Sequence, residues 1–170
     1  MPSLKSYYQS IFKNFGAPLT KAMEIESSRI DAAQKRLGVR IPKALREYYL
    51  VAGKERRFNM CHNRILAPEK WEVDRGRLIF MEENQWFFWS ISLRTTDADD
   101  PPVAHGMDDE PITWVRWHRH CSVFLAVMLH YQAIAGGMRT LARAHEIDQV
   151  RKRLRKGWTL LRPRQRPEGV

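Results

Sequence analysis

The chain has 170 residues, of which 44% are hydrophobic and 11% aromatic, and its formal net charge at pH 7 is +10. This length and composition predict one folded domain and exclude a disordered chain. No hydrophobic run reaches the roughly 18 to 20 residues that cross a bilayer, and two cysteines provide no disulfide framework. We therefore expect a cytoplasmic protein without a membrane span.

Amphipathic helices are predicted in the first third of the chain. The first, over residues 3–16, has hydrophobic residues at helical spacing and begins at Ser3, a typical N-cap residue. The second runs from about Ser27 to Gly38, where the glycine suits a left-handed C-cap. The third follows Pro42, because proline is favoured in the first turn of a helix.

A central hairpin is predicted over residues 78–93, LIFMEENQWFFWSISL. Two runs rich in aromatic and β-branched residues surround the polar break at residues 83–85, which lacks the glycine of a tight two-residue turn. In the second run alternate residues fall on opposite faces, the period of a strand with one side against a core. We expect the helices on either side to pack on this hairpin.

Two acidic turns follow, TTDADDPP at residues 95–102 and DDEP at residues 108–111. Short strands are predicted after each turn, at residues 103–105 and 112–117. Residues 122–135 then form a helix that is hydrophobic almost all round and is therefore expected to be deeply buried. The order of helices, strands and helices predicts an α+β fold, a single domain with a central antiparallel sheet and helices packed around it.

Charge is unevenly distributed along the chain. Residues 74–110 carry 9 acidic and 3 basic side chains, whereas residues 139–170 carry 10 basic and 3 acidic ones. We divide the single globular domain into an N-terminal helix at 1–24, an α+β core at 25–137 and a basic C-terminal helical extension and tail at 138–170. Such asymmetry concerns binding partners and electrostatic steering more than the fold.

Residue types used in catalysis occur without the patterns that catalysis requires. His118, His120 and Cys121 form a cluster in which His118 and His120 could share a metal, but no second half-site with metal-ligand spacing accompanies them. The Cys61-His62 pair has no neighbouring group in sequence that would orient the imidazole. There is also no glycine-rich phosphate loop. We therefore expect no enzymatic activity, no metal and no cofactor.

The acidic turns predict a partner-binding surface. If both turns lie at one edge of the sheet, their carboxylates form an anionic rim beside the exposed aromatic residues Trp86 and Phe88. Such a rim attracts a basic partner protein, which the aromatic side chains then anchor. Ordinary turn chemistry explains the same acidic residues equally well. The predicted surface consists of Trp86, Phe88, Asp97, Asp99, Asp100, His105, Asp108, Asp109 and Glu110.

The basic C-terminal segment predicts an alternative function. Its cations could bind nucleic-acid phosphates or an anionic surface, or they could form the solvated face of an amphipathic helix. No sequence pattern for base recognition supports the nucleic-acid interpretation. The residues concerned are Arg151, Lys152, Arg153, Arg155 and Lys156.

The segments LGVRIPKALREYYLVAG, LIFMEENQWFFWSISL, DPPVAHG and SVFLAVMLHYQAIAGG occur in this order over about residues 25–137. Together they resemble the SUKH superfamily of Knr-like cell-wall regulators and bacterial immunity proteins. The matching positions are Leu37, Gly38, Ile41, Pro42, Gly53, Glu83, Asn84, Gln85, Trp89, Asp100 to Val103, Ser122 and Phe124. The N-terminal helix and the basic extension depart from the family pattern.

The resemblance implies a compact α+β domain that performs no catalysis, and the family offers no catalytic residues to transfer. Bacterial members bind and neutralise a cognate toxin, often a nuclease or a deaminase, whereas fungal members are intracellular signalling scaffolds. We therefore expect a bacterial immunity protein whose partner is a cognate protein toxin. A signalling scaffold is the alternative within the family.

Overall fold

The structure is a computed structural model, and it describes residues 3–83, 86–107, 109 and 111–138. These residues form five α-helices and six β-strands, which confirms the predicted α+β class. Residues 139–170, most of the predicted basic extension, lie outside the described residues. The helices are α1 Leu4–Asn14, α2 Ser27–Leu37, α3 Lys43–Ala52, α4 Arg56–Asn59 and α5 Cys121–Gln132. The strands are β1 Asn63–Ile65, β2 Glu72–Asp74, β3 Arg77–Glu83, β4 Phe87–Ser92, β5 Val103–Met107 and β6 Trp114–His118.

The six strands form one antiparallel sheet in the order β1-β3-β4-β5-β6, with β2 beside β1 on the same edge of β3. The predicted central hairpin is confirmed as β3 and β4, which pair from Arg77 opposite Ser92 to Glu82 opposite Phe88. Its loop is longer than two residues, as expected. Leu93 was expected to end the second strand, but it begins a 3-10 turn instead.

The local signals for the first helices are confirmed. The hydroxyl of Ser3 accepts a hydrogen bond from the Ser6 amide at the start of α1. Gly38 ends α2 in the left-handed conformation with φ at 65°, which costs a glycine little. Pro42 precedes α3 as its N-cap, one position before the expected first turn.

Strands β1 and β2 were missed by the sequence analysis, because three residues are too few to show a period. Strand β2 joins β3 through Arg75 and Gly76, which have φ angles of 45° and 75°. Positive φ at both central residues is the signature of a type I′ hairpin turn. Strand β1 is held by the buried side chain of Gln132, which bonds to both backbone groups of Asn63.

The sheet has two different faces. The helix face, defined by Leu78, Trp89, Ile91 and Val103, packs against α5; the Phe124 ring lies 6.2 Å from the Trp89 ring. The groove face is the opposite one. Its central part is covered by side chains. The groove face is defined by Ile79, Glu82, Phe88, Ser90 and Trp114.

Candidate partner-binding surface

The groove face contains a groove of about 620 Å³ built from three separate parts of the chain. Its hydrophobic lining includes Ile79 and Phe88 from the central hairpin and Ile112 from the connection before β6. Four carboxylates and one lysine line the groove as well: Glu69, Glu72, Asp74, Glu82 and Lys70. The groove therefore combines an aromatic anchor with a predominance of negative charge.

Two of the four carboxylates are neutralised from within the fold. Arg29 of α2 binds Glu69 with both arms of its guanidinium, at 2.6 Å from Nε to Oε1 and 2.9 Å from Nη2 to Oε2. This hydrogen bonding lowers the pKa of the Glu69 carboxyl, although partial burial opposes the change. Arg64 pairs with Glu82 at 3.0 Å. Glu69 and Glu82 are thus already engaged before any partner arrives.

Glu72 and Asp74 lack the close internal ion pairs of Glu69 and Glu82. Glu72 makes no ion pair among the described residues, and the nearest cation to Asp74 is Arg75 at 4.0 Å. The two residues alternate along β2, so both side chains project to the groove face. Asp74 also lies opposite Arg77 in the β2–β3 pairing, and Lys70 is the basic residue of the groove lining.

Gly106 of β5 shapes the neighbouring part of the groove face. A Cβ atom at this position would lie 2.5 Å from Cγ2 of Ile112 and 2.8 Å from Cε3 of Trp114. Because glycine has no side chain, both residues can lie flat on the sheet. The Arg77 guanidinium covers the Trp114 ring at 5.0 Å and donates from Nε to the Ser90 hydroxyl at 2.7 Å. Only glycine at position 106 allows this arrangement, because even the Cβ of alanine would clash.

The first acidic turn contributes its carboxylates to the fold. Asp100 accepts hydrogen bonds from the Ser122 amide at 2.8 Å and the Ser122 hydroxyl at 2.5 Å, which caps the start of α5. Asp99 accepts the Ala44 amide at its backbone carbonyl, 2.8 Å away. The Asp97 and Asp99 side chains lie 3.6 Å and 3.7 Å from the guanidinium of Arg40. This turn therefore fastens α3 and α5 to the sheet.

The second acidic turn lies at the other end of the sheet. Phe87 at the start of β4 pairs with Met107 at the end of β5, so this turn lies beside the β3–β4 loop. The five residues of β5 separate the two turns by roughly 15 Å. Asp109 is exposed, while Asp108 and Glu110 lie outside the described residues. Among the residues that the structure describes, the carboxylates of the two turns do not form the single anionic rim that the sequence suggested.

The remaining predicted site residues are divided between the faces. Phe88 lines the groove, and Trp86, 59% exposed, lies next to the hairpin loop. His105 is on the helix face, where its ring stacks with Phe87 at 5.8 Å and lies 4.5 Å from the Trp117 ring. Of the predicted surface residues that lie within the described part of the chain, only Phe88 lines the groove.

The four groove carboxylates were missed because they come from segments whose proximity depends on the sheet. One local signal was available. Glu72, Val73 and Asp74 alternate in polarity, and Arg75-Gly76 follows with a glycine at the second loop position. That combination predicts a hairpin with Glu72 and Asp74 on one face.

The cluster His118, His120 and Cys121 serves the start of α5. His118 packs edge-on against the Phe124 ring at 6.1 Å, and His120 Nδ1 lies 3.8 Å from the Asp100 carboxylate. Cys121 is wholly buried, and this burial raises the pKa of its thiol well above the ordinary value. A buried thiol held in its protonated form is a poor nucleophile. Among the described residues, no three His, Cys, Asp or Glu side chains are placed to hold a metal ion.

The Cys61-His62 pair does have a third polar group nearby, which sequence proximity did not indicate. His62 Nε2 lies 3.3 Å from Oε1 of Glu83 across the β1–β3 pairing. The His62 ring also contacts the Tyr131 ring edge-on at 5.6 Å. These contacts attach the end of α5 to the hairpin end of the sheet.

Comparison with known proteins gave no match among protein-family models, curated proteins or solved structures. No described helix is both long enough and hydrophobic enough to cross a membrane. The basic residues 151–156 lie outside the described residues, so nucleic-acid or anionic-surface binding through them stays a prediction from charge.

Proposed function

We propose that this protein is a non-enzymatic binding protein that holds a cationic partner protein in the groove of its sheet. The observation that carries the proposal is the placement of Glu72 and Asp74, without strong internal ion pairs among the described residues, beside Phe88 and Ile79. A hydrophobic anchor contributes affinity, and the neighbouring charges select and orient the partner. The groove thus offers both parts of a specific protein interface.

The resemblance to the SUKH superfamily supports a toxin as the partner. A nuclease or a deaminase that acts on nucleic acid needs a basic surface to bind phosphates. An inhibitor that presents carboxylates to that surface is complementary to it and excludes the nucleic acid. The proposed function is therefore that of an immunity protein that neutralises a cognate toxin by binding, a proposal that fold analogy alone would not justify.

The gene neighbourhood provides the first test. The proposal expects a secreted toxin encoded directly upstream, and growth protection when both proteins are produced in one cell. The purified toxin and this chain should then form a stoichiometric complex. A neighbouring toxin that neither binds the chain nor is neutralised by it would count against the proposal.

A matched pair of double variants tests the surface. Glu72→Gln with Asp74→Asn removes two charges from the groove, and Asp97→Asn with Asp99→Asn removes two charges from the first acidic turn, outside the groove lining. We expect the groove variant to weaken binding on the order of ten- to a hundredfold and to reduce its salt dependence. The control should bind within about twofold of the native chain, since its carboxylates already pair with Arg40.

Titration calorimetry at two salt concentrations measures both effects. Equal losses for the two double variants would move the interface away from the groove. A larger loss for the control would assign the interface to the first acidic turn, as the sequence suggested.

A further inference from the structure

A hydrophobic stripe runs along the exposed side of α5 and its continuation. Its residues, spaced by four, four and three positions, are Val123, Val127, Tyr131 and Ile134, with exposed fractions of 42%, 47%, 45% and 66%. This spacing places them in one row on the helix surface. The segment 121–137 contains no Asp, Glu, Lys or Arg, so no full charge interrupts the row.

The stripe adjoins a part of the helix face that remains exposed. Met107, Val115 and Trp117 have exposed fractions of 44%, 51% and 52%. Val115 pairs with His105, so it lies on the helix face with the His105 and Trp117 rings. Tyr131 contacts His62, which in turn lies beside Glu83 at the hairpin end. The hydrophobic stripe on α5 and the exposed end of the helix face therefore belong to one surface, which we call the α5 surface.

The size of the α5 surface matches that of a protein interface. The seven side chains expose an area on the order of 700 Å², close to what each partner contributes to a standard interface. The α5 part of this surface contains no Asp, Glu, Lys or Arg, whereas Glu83 lies at its hairpin end. Depletion of charged residues is characteristic of the centre of homodimer interfaces. The largest hydrophobic patch on a typical monomer is smaller, about 300 to 600 Å².

We propose that a second copy of this chain covers the α5 surface. The two α5 helices cross on a two-fold axis near Val127, which is the middle of the stripe. A row without full charges can face its own copy without like-charge repulsion, and a closed two-fold contact uses the same patch on both chains. The groove lies on the other face of the sheet, so each copy keeps its groove free. The dimer is independent of the proposed function.

Sedimentation equilibrium of the full chain tests the dimer. We expect twice the mass of the 20.1 kDa chain at micromolar concentration. Val127→Glu places two negative charges at the axis and should weaken association by at least a hundredfold. The matched control, Ala32→Glu, adds the same charge at an exposed position of α2 and should leave the dimer intact. Circular dichroism should report the same helix content in both variants, and Ile134→Glu provides a second disruption if Val127→Glu does not fold.

Charge pairing tests the two-fold geometry itself. Val127→Glu and Val127→Lys chains should each be monomeric, and their mixture should form a one-to-one dimer. A native chain that is monomeric at every concentration would overturn the proposal. So would a dimer that tolerates both Val127→Glu and Ile134→Glu, or an open series of larger species.

Discussion

The two faces of the sheet are built from the same strands but serve different purposes. On the helix face, Leu78, Ile91 and Val103 lie side by side and are wholly buried in the hydrophobic core. On the groove face, Phe88 and Ile79 line a groove whose carboxylates include Glu72 and Asp74. The first face stabilises the domain, and the second is the one that we propose binds a partner.

The aromatic run in β4 illustrates the difference. Neighbouring residues of a strand point to opposite faces, so Phe88 and Trp89 enter different environments. Trp89 is 8% exposed and packs near Phe124, whereas Phe88 is half-buried at the groove. Consecutive aromatic residues in a strand therefore indicate that aromatic side chains lie on both faces of the sheet, and not only in the hydrophobic core.

The largest expected effect comes from removing the α5 ring that packs against the helix face of the sheet. Phe124→Ala deletes a wholly buried side chain that contacts Phe80 and Trp89. We expect a loss of about 3 to 5 kcal/mol in the free energy of unfolding, because the lost contacts and the cavity both cost stability. Urea unfolding followed by fluorescence measures it.

Phe88→Ala is the matched control for that experiment, since it deletes the same ring from the other face. Because Phe88 is already partly exposed, its loss should cost about 1 kcal/mol. Phe88→Ala should weaken partner binding more than Phe124→Ala does. If the two variants lose equal stability, the groove face is part of the core and the distinction between the faces fails.

A second contrast lies within the first acidic turn. Asp100→Ala leaves the buried Ser122 hydroxyl and the Ser122 amide without their acceptor, so we expect a loss of about 2 kcal/mol. Asp97→Ala removes an exposed carboxylate that is 3.6 Å from Arg40 and should change stability by less than about 0.5 kcal/mol. Thermal unfolding of both variants measures the difference. Similar losses would mean that Asp100 does not act as the helix cap.

This turn also shows where sequence interpretation fails. Asp97, Asp99 and Asp100 lie in a stretch rich in turn residues, and nothing local distinguishes Asp100 from the other two. Its partner, Ser122, is 22 positions away in sequence. The cap of α1 was predictable because Ser3 and Ser6 are three positions apart. The helices, the central hairpin and the α+β class follow from such local signals and from period.

The candidate site was less predictable than the fold. Phe88 could be recognised as an exposed aromatic residue, but the groove carboxylates assemble only when β2 pairs with β3. The role of Gly106 was unpredictable for the same reason, because it depends on Ile112 and Trp114 folding back across the glycine. Residues that a fold brings together through short strands produce only a weak pattern in the sequence.

Glu69 and Glu72 provide the smallest and most discriminating contrast, since both line the groove. The bond from Arg29 lowers the pKa of Glu69 below its ordinary value of 4.5. A lowered pKa adds stability above the ordinary value, and this contribution is lost as the pH falls through the lower folded pKa. We expect Arg29→Gln to cost about 0.5 kcal/mol at pH 7, because the pair is partly exposed, and less near pH 3. Urea unfolding at both pH values measures this difference.

Glu72→Gln should leave stability within about 0.3 kcal/mol at either pH, because Glu72 makes no ion pair among the described residues. An equal cost of Arg29→Gln at both pH values would show that Arg29 stabilises α2 through packing, and Glu69 would then belong with Glu72 among the carboxylates available to a partner.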